Sequence, residues 1–215
     1  MESRPLSESD VVAEGRAVVL AWPTPQEVQA TLQLWKRPYV NRTARFPFQP
    51  DASDVSTWFL LRFGIGVPYR ATLAIRFRPD GRWLGTIGWT GWDPQTRRVW
   101  VGDLALDYGT LKAVARQFPA SYAGVAVDAV TALTDYLFGS MGVETVETFI
   151  AEANVLAQRV ALRAGFREVR RFLCPVSDGP PVPAVAFRKT RSGTDADGSG
   201  APGVGGKQQH PGGMR

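Results

Sequence analysis

The 215-residue sequence contains one cysteine, Cys174, and one histidine, His210. A single thiol excludes an internal disulfide. A single imidazole in a glycine-rich stretch excludes both a thiolate–imidazole zinc site and a histidine-based nucleophilic triad, so no metal is expected. Long apolar runs are also missing: the longest, near Ala17 to Trp22, falls far short of the roughly 20 residues a membrane span needs. The acidic start Met1-Glu2-Ser3 lacks the basic and apolar regions of a secretory signal. These absences predict a cytoplasmic protein with no membrane partner, whose acid–base chemistry comes from carboxylates, hydroxyls, backbone or water.

What is present is the composition of a globular domain, 44% hydrophobic and 21% charged. The net charge of +5 suits a polyanionic partner, whether a cofactor phosphate or a nucleic acid. A modest excess of arginine is more often a solvated surface, however, and a dedicated nucleic-acid binder makes roughly six to ten phosphate contacts. From Thr190 onward Gly, Ser, Pro and polar residues offer almost nothing to bury, which predicts a disordered tail over 190–215. Residues 1–14 are polar and expected to be flexible, leaving one domain over 15–189.

Within that domain the pattern predicts a strand from Arg16 to Trp22, then a helix opened by Thr24-Pro25-Gln26-Glu27, where Thr24 caps and Glu27 completes a capping box. That helix stops near Lys36, before Pro38, and Asp51 to Asp54 open another carrying Val55, Trp58, Phe59 and Leu61. Three strands follow, Tyr69–Arg78, Arg82–Trp92 and Arg98–Leu106, separated by the turns Pro79-Asp80-Gly81 and Asp93-Pro94-Gln95-Thr96. Tyr108 to Phe118 has helical character, and Gly124 to Phe138 carries apolar residues at helical spacing. A strand Glu144–Ala151, a helix Asn154–Ala164 stopped by Gly165, and strands Arg167–Pro175 and Val182–Lys189 complete the order, the last two joined by Ser177 to Pro181. The fold class is α/β (α+β): a mixed, mostly antiparallel sheet of about seven strands with helices on both faces.

Element order and three local motifs resemble the GNAT acyltransferase superfamily, closest to its RimJ/RimL branch, over about Arg16 to Lys189. The most specific is Asn154-Val-Leu-Ala157-Gln-Arg159-Val160-Ala-Leu-Arg-Ala-Gly165-Phe166, similar to the family's stretch of Asn, helix and Gly-Phe, although Asn154 and Gly165 also suit any capped helix. The resemblance implies that Asn154 bonds the pantetheine arm of an acyl-coenzyme A. The stretch Ser121-Tyr122-Ala123-Gly124-Val125-Ala126 is similar to the family's pyrophosphate loop, with Ser121 where Gln or Arg is usual. Small residues there let backbone N–H groups approach a diphosphate at a helix start. Val101 to Leu106 looks like the family's fourth strand, whose C-terminal half, here Leu104, Ala105 and Leu106, leaves a gap for the acyl-pantetheine.

The resemblance implies an N-acyltransferase moving an acetyl or other short acyl group from acetyl-coenzyme A, or another acyl-CoA, to a primary amine of a peptide, small molecule or antibiotic-like substrate. The chain departs from the family in two ways. Asp107 to Ala120 is a longer connection than usual, and Ala157 and Ala161 stand where Ser and Tyr are common. A cationic amine must lose a proton before attack, and a positioned carboxylate supplies about 10² to 10⁴ in rate. Asp103 is the first candidate, because strict alternation places it on one face with the apolar Val101 and Ala105; its structural alternative is an ion pair with Arg97 or Arg98. Asp107, which also suits a helix cap, and Tyr122 are the others. Trp83, Trp89, Trp92 and Trp100 read as core or sheet-face residues rather than substrate walls. Substrate recognition is expected from Trp35 to Phe63, basic and aromatic through Arg37, Arg42, Arg45, Tyr39, Phe46 and Phe48, and from Arg171 to Pro183. The competing expectations are a regulatory protein that binds acyl-CoA without turnover, and a transferase using aminoacyl-tRNA, the one case in which nucleic acid is a partner. The chain is expected to be a monomer or homodimer.

Overall fold

The computed structural model describes residues 10–43, 70–119, 124–175 and 180–191. The helix expected from Asp51, the loop residues Ser121, Tyr122 and Ala123, the turn residues 177–179 and the tail beyond Arg191 lie outside the described residues.

The first element departs from expectation. Val11–Glu14 forms a strand, β1, paired antiparallel with Val18–Ala21, β2, although its polar surroundings predict a loose segment. An edge strand needs only a backbone ladder on one side, so hydropathy barely marks it. The turn between the two is held by Asp128, whose carboxylate accepts the backbone N–H groups of Arg16, Ala17 and Val18. Among the described residues the sheet therefore has eight strands, one more than about seven, in the mixed, mostly antiparallel arrangement expected.

Helix α1, Pro25–Trp35, carries the full capping box: Thr24 accepts from the Glu27 N–H and Glu27 accepts from the Thr24 N–H. Glu27 also pairs with Arg76 at 2.6 Å, fixing α1 to the sheet. Helix α2, Pro38–Thr43, follows at once. The meander is β3, Arg70–Phe77, β4, Trp83–Asp93, and β5, Arg98–Leu106. Then come α3, Tyr108–Gln117, α4, Val125–Gly139, and β6, Thr145–Ala151. Helix α5, Val155–Arg163, ends with Gly165 in the left-handed conformation, φ 88°, as a C-terminal stop requires. Strands β7, Arg167–Cys174, and β8, Val182–Thr190, close the domain.

The strands lie in the order β1-β2-β3-β4-β5-β6-β8-β7. Every pair is antiparallel except β5 with β6, because the chain crosses over through α3 and α4 between them. One face packs Val18, Leu73, Ile75, Val99, Val146 and Phe187 under α3, α4 and α5. On the other, Leu34 and Val40 from α1 and α2 meet Ala105 of β5, with Trp83 against them. Each fully buried Leu or Phe contributes about 1.5–3 kcal/mol, so the first face supplies most of the apolar stabilisation and the second anchors two helices near one strand end.

Candidate functional site

Strand β5 begins beside β6 and then leaves it. Their parallel ladder joins Arg98 to Thr145, Val99 to Val146 and Trp100 to Glu147. Beyond that rung, β5 continues to pair with β4 as far as Leu106, and β6 with β8 as far as Ala151. Between the diverging halves lies a wedge. The edges of Val101–Leu106 and Thr148–Ala151 that face it carry backbone groups unused by the sheet ladder among the described residues.

The bend has a local cause. Thr86 pairs with Ala105 and Gly88 with Gly102, so Asp103 and Leu104 of β5 oppose Ile87 alone of β4, and Asp103 takes φ 56° at this bulge. Thr86 Oγ1 donates to the Asp103 carbonyl at 3.2 Å. The extra residue also exchanges faces: Val101 packs into the core under α3, α4 and α5, whereas Ala105 packs against Leu34 and Val40. The expectation that Asp103 shares one face with Val101 and Ala105 is thereby corrected, because alternation cannot be counted through a bulge. Of its two anticipated ion-pair partners, Arg97 bonds Glu144 at 2.5 Å and the Gly142 carbonyl at 2.8 Å.

Asp107 is buried and fully engaged. One carboxylate oxygen caps α3 by accepting the Thr110 N–H at 2.9 Å, and the other meets Arg37 at 2.7 Å. Tyr39 donates its hydroxyl to the Leu106 carbonyl at 3.3 Å, and its ring lies 4.8 Å from that of Tyr108. The Arg37 guanidinium is held above its ordinary value first by the Tyr39 hydrogen bond, with burial opposing and Asp107 adding to the rise. The basic, aromatic character expected of this region is thus spent, at Arg37 and Tyr39, on fastening α1 and α2 to the end of β5. Arg45, Phe46 and Phe48 lie outside the described residues.

Two features stand at the end of the sheet toward which the wedge opens. Helix α4 starts at Gly124 in the left-handed conformation, φ 91°, with no side-chain cap among the described residues, so its first-turn amides at Val125 and Ala126 could meet an anion. Asp128, the acidic residue of that turn, is turned away toward β1 and β2. Asn154 caps α5 through Oδ1, which accepts the Ala157 N–H at 3.2 Å, leaving Nδ2 as a separate donor. An extended amide-bearing chain ending in a diphosphate fits this arrangement: backbone edges for the chain, bare helix amides for the phosphates.

Glu147 was missed from sequence. It sits on the last rung before the wedge, is buried, and pairs through Oε1 with Arg188 of β8 at 2.7 Å. On the same face Trp100 lies 4.3 Å from Phe149, which lies 5.2 Å from Phe172, with Arg170 over the Phe172 ring at 5.0 Å. Trp89 and Trp92 belong to the core, as expected, but Trp100 stands on this partly open face. An acidic residue in an otherwise apolar strand was the available signal.

Residues 17–167 match the model of the acetyltransferase (GNAT) domain. No curated protein matches the sequence. Among solved structures, spermidine N-acetyltransferase from Vibrio cholerae, in complex with CoA and spermine, is similar at TM-score 0.65 and 10% identity, covering 82% of this chain and 96% of that one. An aminoglycoside acetyltransferase in complex with coenzyme A and kanamycin gives TM-score 0.60 and 19% identity, covering 81% and 95%. The microcin C7 self-immunity acetyltransferase, in complex with acetyl-CoA and AMP, gives 0.61 and 15%, covering 82% and 93%. At these identities the likeness is one of fold.

Proposed function

Because the chain belongs to the GNAT acetyltransferase family, we propose that it transfers an acetyl or other short acyl group from acyl-coenzyme A to a primary amine of a small molecule or peptide. The observation that carries this proposal is the parting of β5 from β6 directly after the Trp100–Glu147 rung. The coenzyme, when bound, supplies an acyl thioester. The backbone of Leu104, Ala105 and Leu106 would hold its pantetheine arm together with Asn154 Nδ2. The amides of Val125 and Ala126, reached past Gly124, would hold its diphosphate; Ser121, Tyr122 and Ala123 complete that loop in sequence.

A backbone N–H of β5 facing the wedge polarises the acyl carbonyl without any particular side chain. The acceptor arrives as an ammonium and must lose a proton. Asp103, at the bulge, is the first candidate to take it, directly or through one water; Asp107, bonded to Thr110 and Arg37, and Tyr122 are the others. Solved relatives complexed with spermine and kanamycin, both polyamines, support an amine as acceptor.

Release of free thiol from acetyl-coenzyme A, measured with a panel of primary amines, tests the assignment. Amine-dependent release is expected. A thermal shift with acetyl-coenzyme A but no release with any amine would favour a coenzyme-binding protein without turnover, and no shift at all would remove acyl-CoA as donor.

A further inference from the structure

We propose that Glu147 anchors the cationic amine of the acceptor, and that the acceptor carries a flat, apolar group that lies on Trp100, Phe149 and Phe172. This rests on the transferase assignment above and narrows the acceptor to aromatic or similarly flat primary amines.

Glu147 occupies the one rung where a side chain of β6 stands at the vertex of the wedge. It is 8% exposed, and a buried carboxylate is costly unless its charge is met. Arg188 balances that charge through one oxygen only: Nε and Nη2 both reach Oε1, and no hydrogen bond to Oε2 is made among the described residues. A carboxylate accepts on both oxygens, so Oε2 is open to a second cation. Arg188 is 39% exposed and sits on the side of Glu147 away from β5, so the open side is the one toward Trp100 and the wedge.

The aromatic residues continue from that point. Trp100, Phe149 and Phe172 form an unbroken series of rings running from the vertex toward the edge strand. The rings are partly exposed, where a core would have covered them. Beneath them β8 contributes only Ala184 and Ala186, opposite Phe172 and Phe149, so the two phenyl rings, 5.2 Å apart, close over β8. The Trp100 indole packs close over Gly91 of β4, where a Cβ would stand 2.9 Å from its Cδ1. A carboxylate at one end and an aromatic surface beside it match an ammonium joined by a short linker to a flat apolar group that stacks on one ring and meets the edges of the others, because the rings stand at 41° and 70° to one another.

The alternative is a cross-strand ion pair that only joins β6 to β8. Calorimetric titration of the full chain, saturated with coenzyme A, with phenethylamine and with its neutral isostere 2-phenylethanol separates the two. The wild-type protein should bind the amine at least about tenfold more tightly than the alcohol, the scale of one charge-assisted hydrogen bond. Glu147→Gln should bring the two affinities within about twofold of each other and leave coenzyme A affinity unchanged. An unchanged ratio in Glu147→Gln, or no preference in the wild type, overturns the proposal. Should Glu147→Gln not fold, Trp100→Leu decides: it should weaken both probes about tenfold, and retained affinity for both overturns the aromatic seat. Coenzyme A titration of the wild-type protein before saturation separates the two levels, because coenzyme binding without amine preference sinks the anchor alone, whereas absence of coenzyme binding sinks the transferase assignment with it.

Discussion

Asp107 bonds Arg37 at 2.7 Å through one carboxylate oxygen while the other caps α3 through Thr110. One side chain thereby joins the α1–α2 corner, the end of β5 and the start of α3. Such contacts suit a structural carboxylate as well as a chemical one, and variants of Asp107 tell the two roles apart.

The two roles predict different losses. Asp107→Asn keeps a good N-cap and loses the ion pair, while Asp107→Ala loses both, so the alanine variant should be the less stable by about 1 kcal/mol. Both should retain turnover per folded molecule within about tenfold, whereas removal of a general base costs about 10² to 10⁴. Urea unfolding alongside steady-state rates measures the two quantities on the same samples, and a large loss of rate at unchanged stability would return Asp107 to the chemistry.

Asp128 is the counterpart at the other end of the chain. Its carboxylate accepts three backbone N–H groups of the β1–β2 turn, from 2.7 to 3.1 Å, so Asp128→Ala leaves the turn without its acceptor. A loss of about 2–4 kcal/mol is expected, since bonds to a charged acceptor are worth about 1.5–3 kcal/mol each and do not add fully. Gly15 gives an independent check, because a Cβ there would stand 2.5 Å from Asp128 Oδ2. Gly15→Ala should therefore destabilise by displacing that carboxylate, and the double variant should lose less than the sum of the two. Strict additivity in chemical denaturation would contradict the contact.

The Glu27–Arg76 pair predicts a sharper asymmetry. The Arg76 side chain is 5% exposed and bonds both oxygens of Glu27, which in turn completes the α1 capping box. Glu27→Gln leaves a buried guanidinium without its counter-ion and should cost about 3–5 kcal/mol. Replacing both members, as Glu27→Gln with Arg76→Met, should recover part of that loss. Thermal melts of the three variants check the order; a double variant less stable than Glu27→Gln alone would mean that Arg76 matters through packing rather than charge.

These relationships differ in how far they can be read from sequence. The capping box Thr24–Glu27, the turns at Pro79–Gly81 and Asp93–Thr96, and the Asn154–Gly165 helix are encoded within a few residues, and each lies where local chemistry puts it. The bulge at Asp103 is different: its extra residue is defined by β4, with Gly88 facing Gly102 and Thr86 facing Ala105, so counting along β5 alone assigns the wrong faces. Glu147 was invisible for a related reason. Its place at the vertex depends on a parallel register with β5, separated from it by two helices, and no local pattern fixes such a register. Strand β1 escaped because it is stabilised by backbone pairing and by Asp128 more than a hundred residues away.

Lys189 gives a prediction in which the sign of a pH effect is decisive. It lies half-buried on the helical face of β8, donating to Thr134 Oγ1 at 2.9 Å with the Phe138 ring 5.9 Å away. Burial lowers its pKa from 10.5, and Asp135 offsets only part of that. Between the lowered folded value and 10.5 the unfolded chain holds the proton more tightly than the folded one. Stability from this group therefore rises with pH across that window. Below the window both states are charged and the full cost of burying the ammonium is present; above it the cost is gone. Lys189→Met should accordingly be more stable than wild type near neutral pH, because Thr134 keeps its bond to the Thr131 carbonyl, and the advantage should shrink as pH rises toward 10.5. Urea unfolding of both proteins over that range tests it. A methionine variant that is less stable at neutral pH, by a margin independent of pH, would show that the contacts to Thr134 and Phe138 outweigh the burial of the charge.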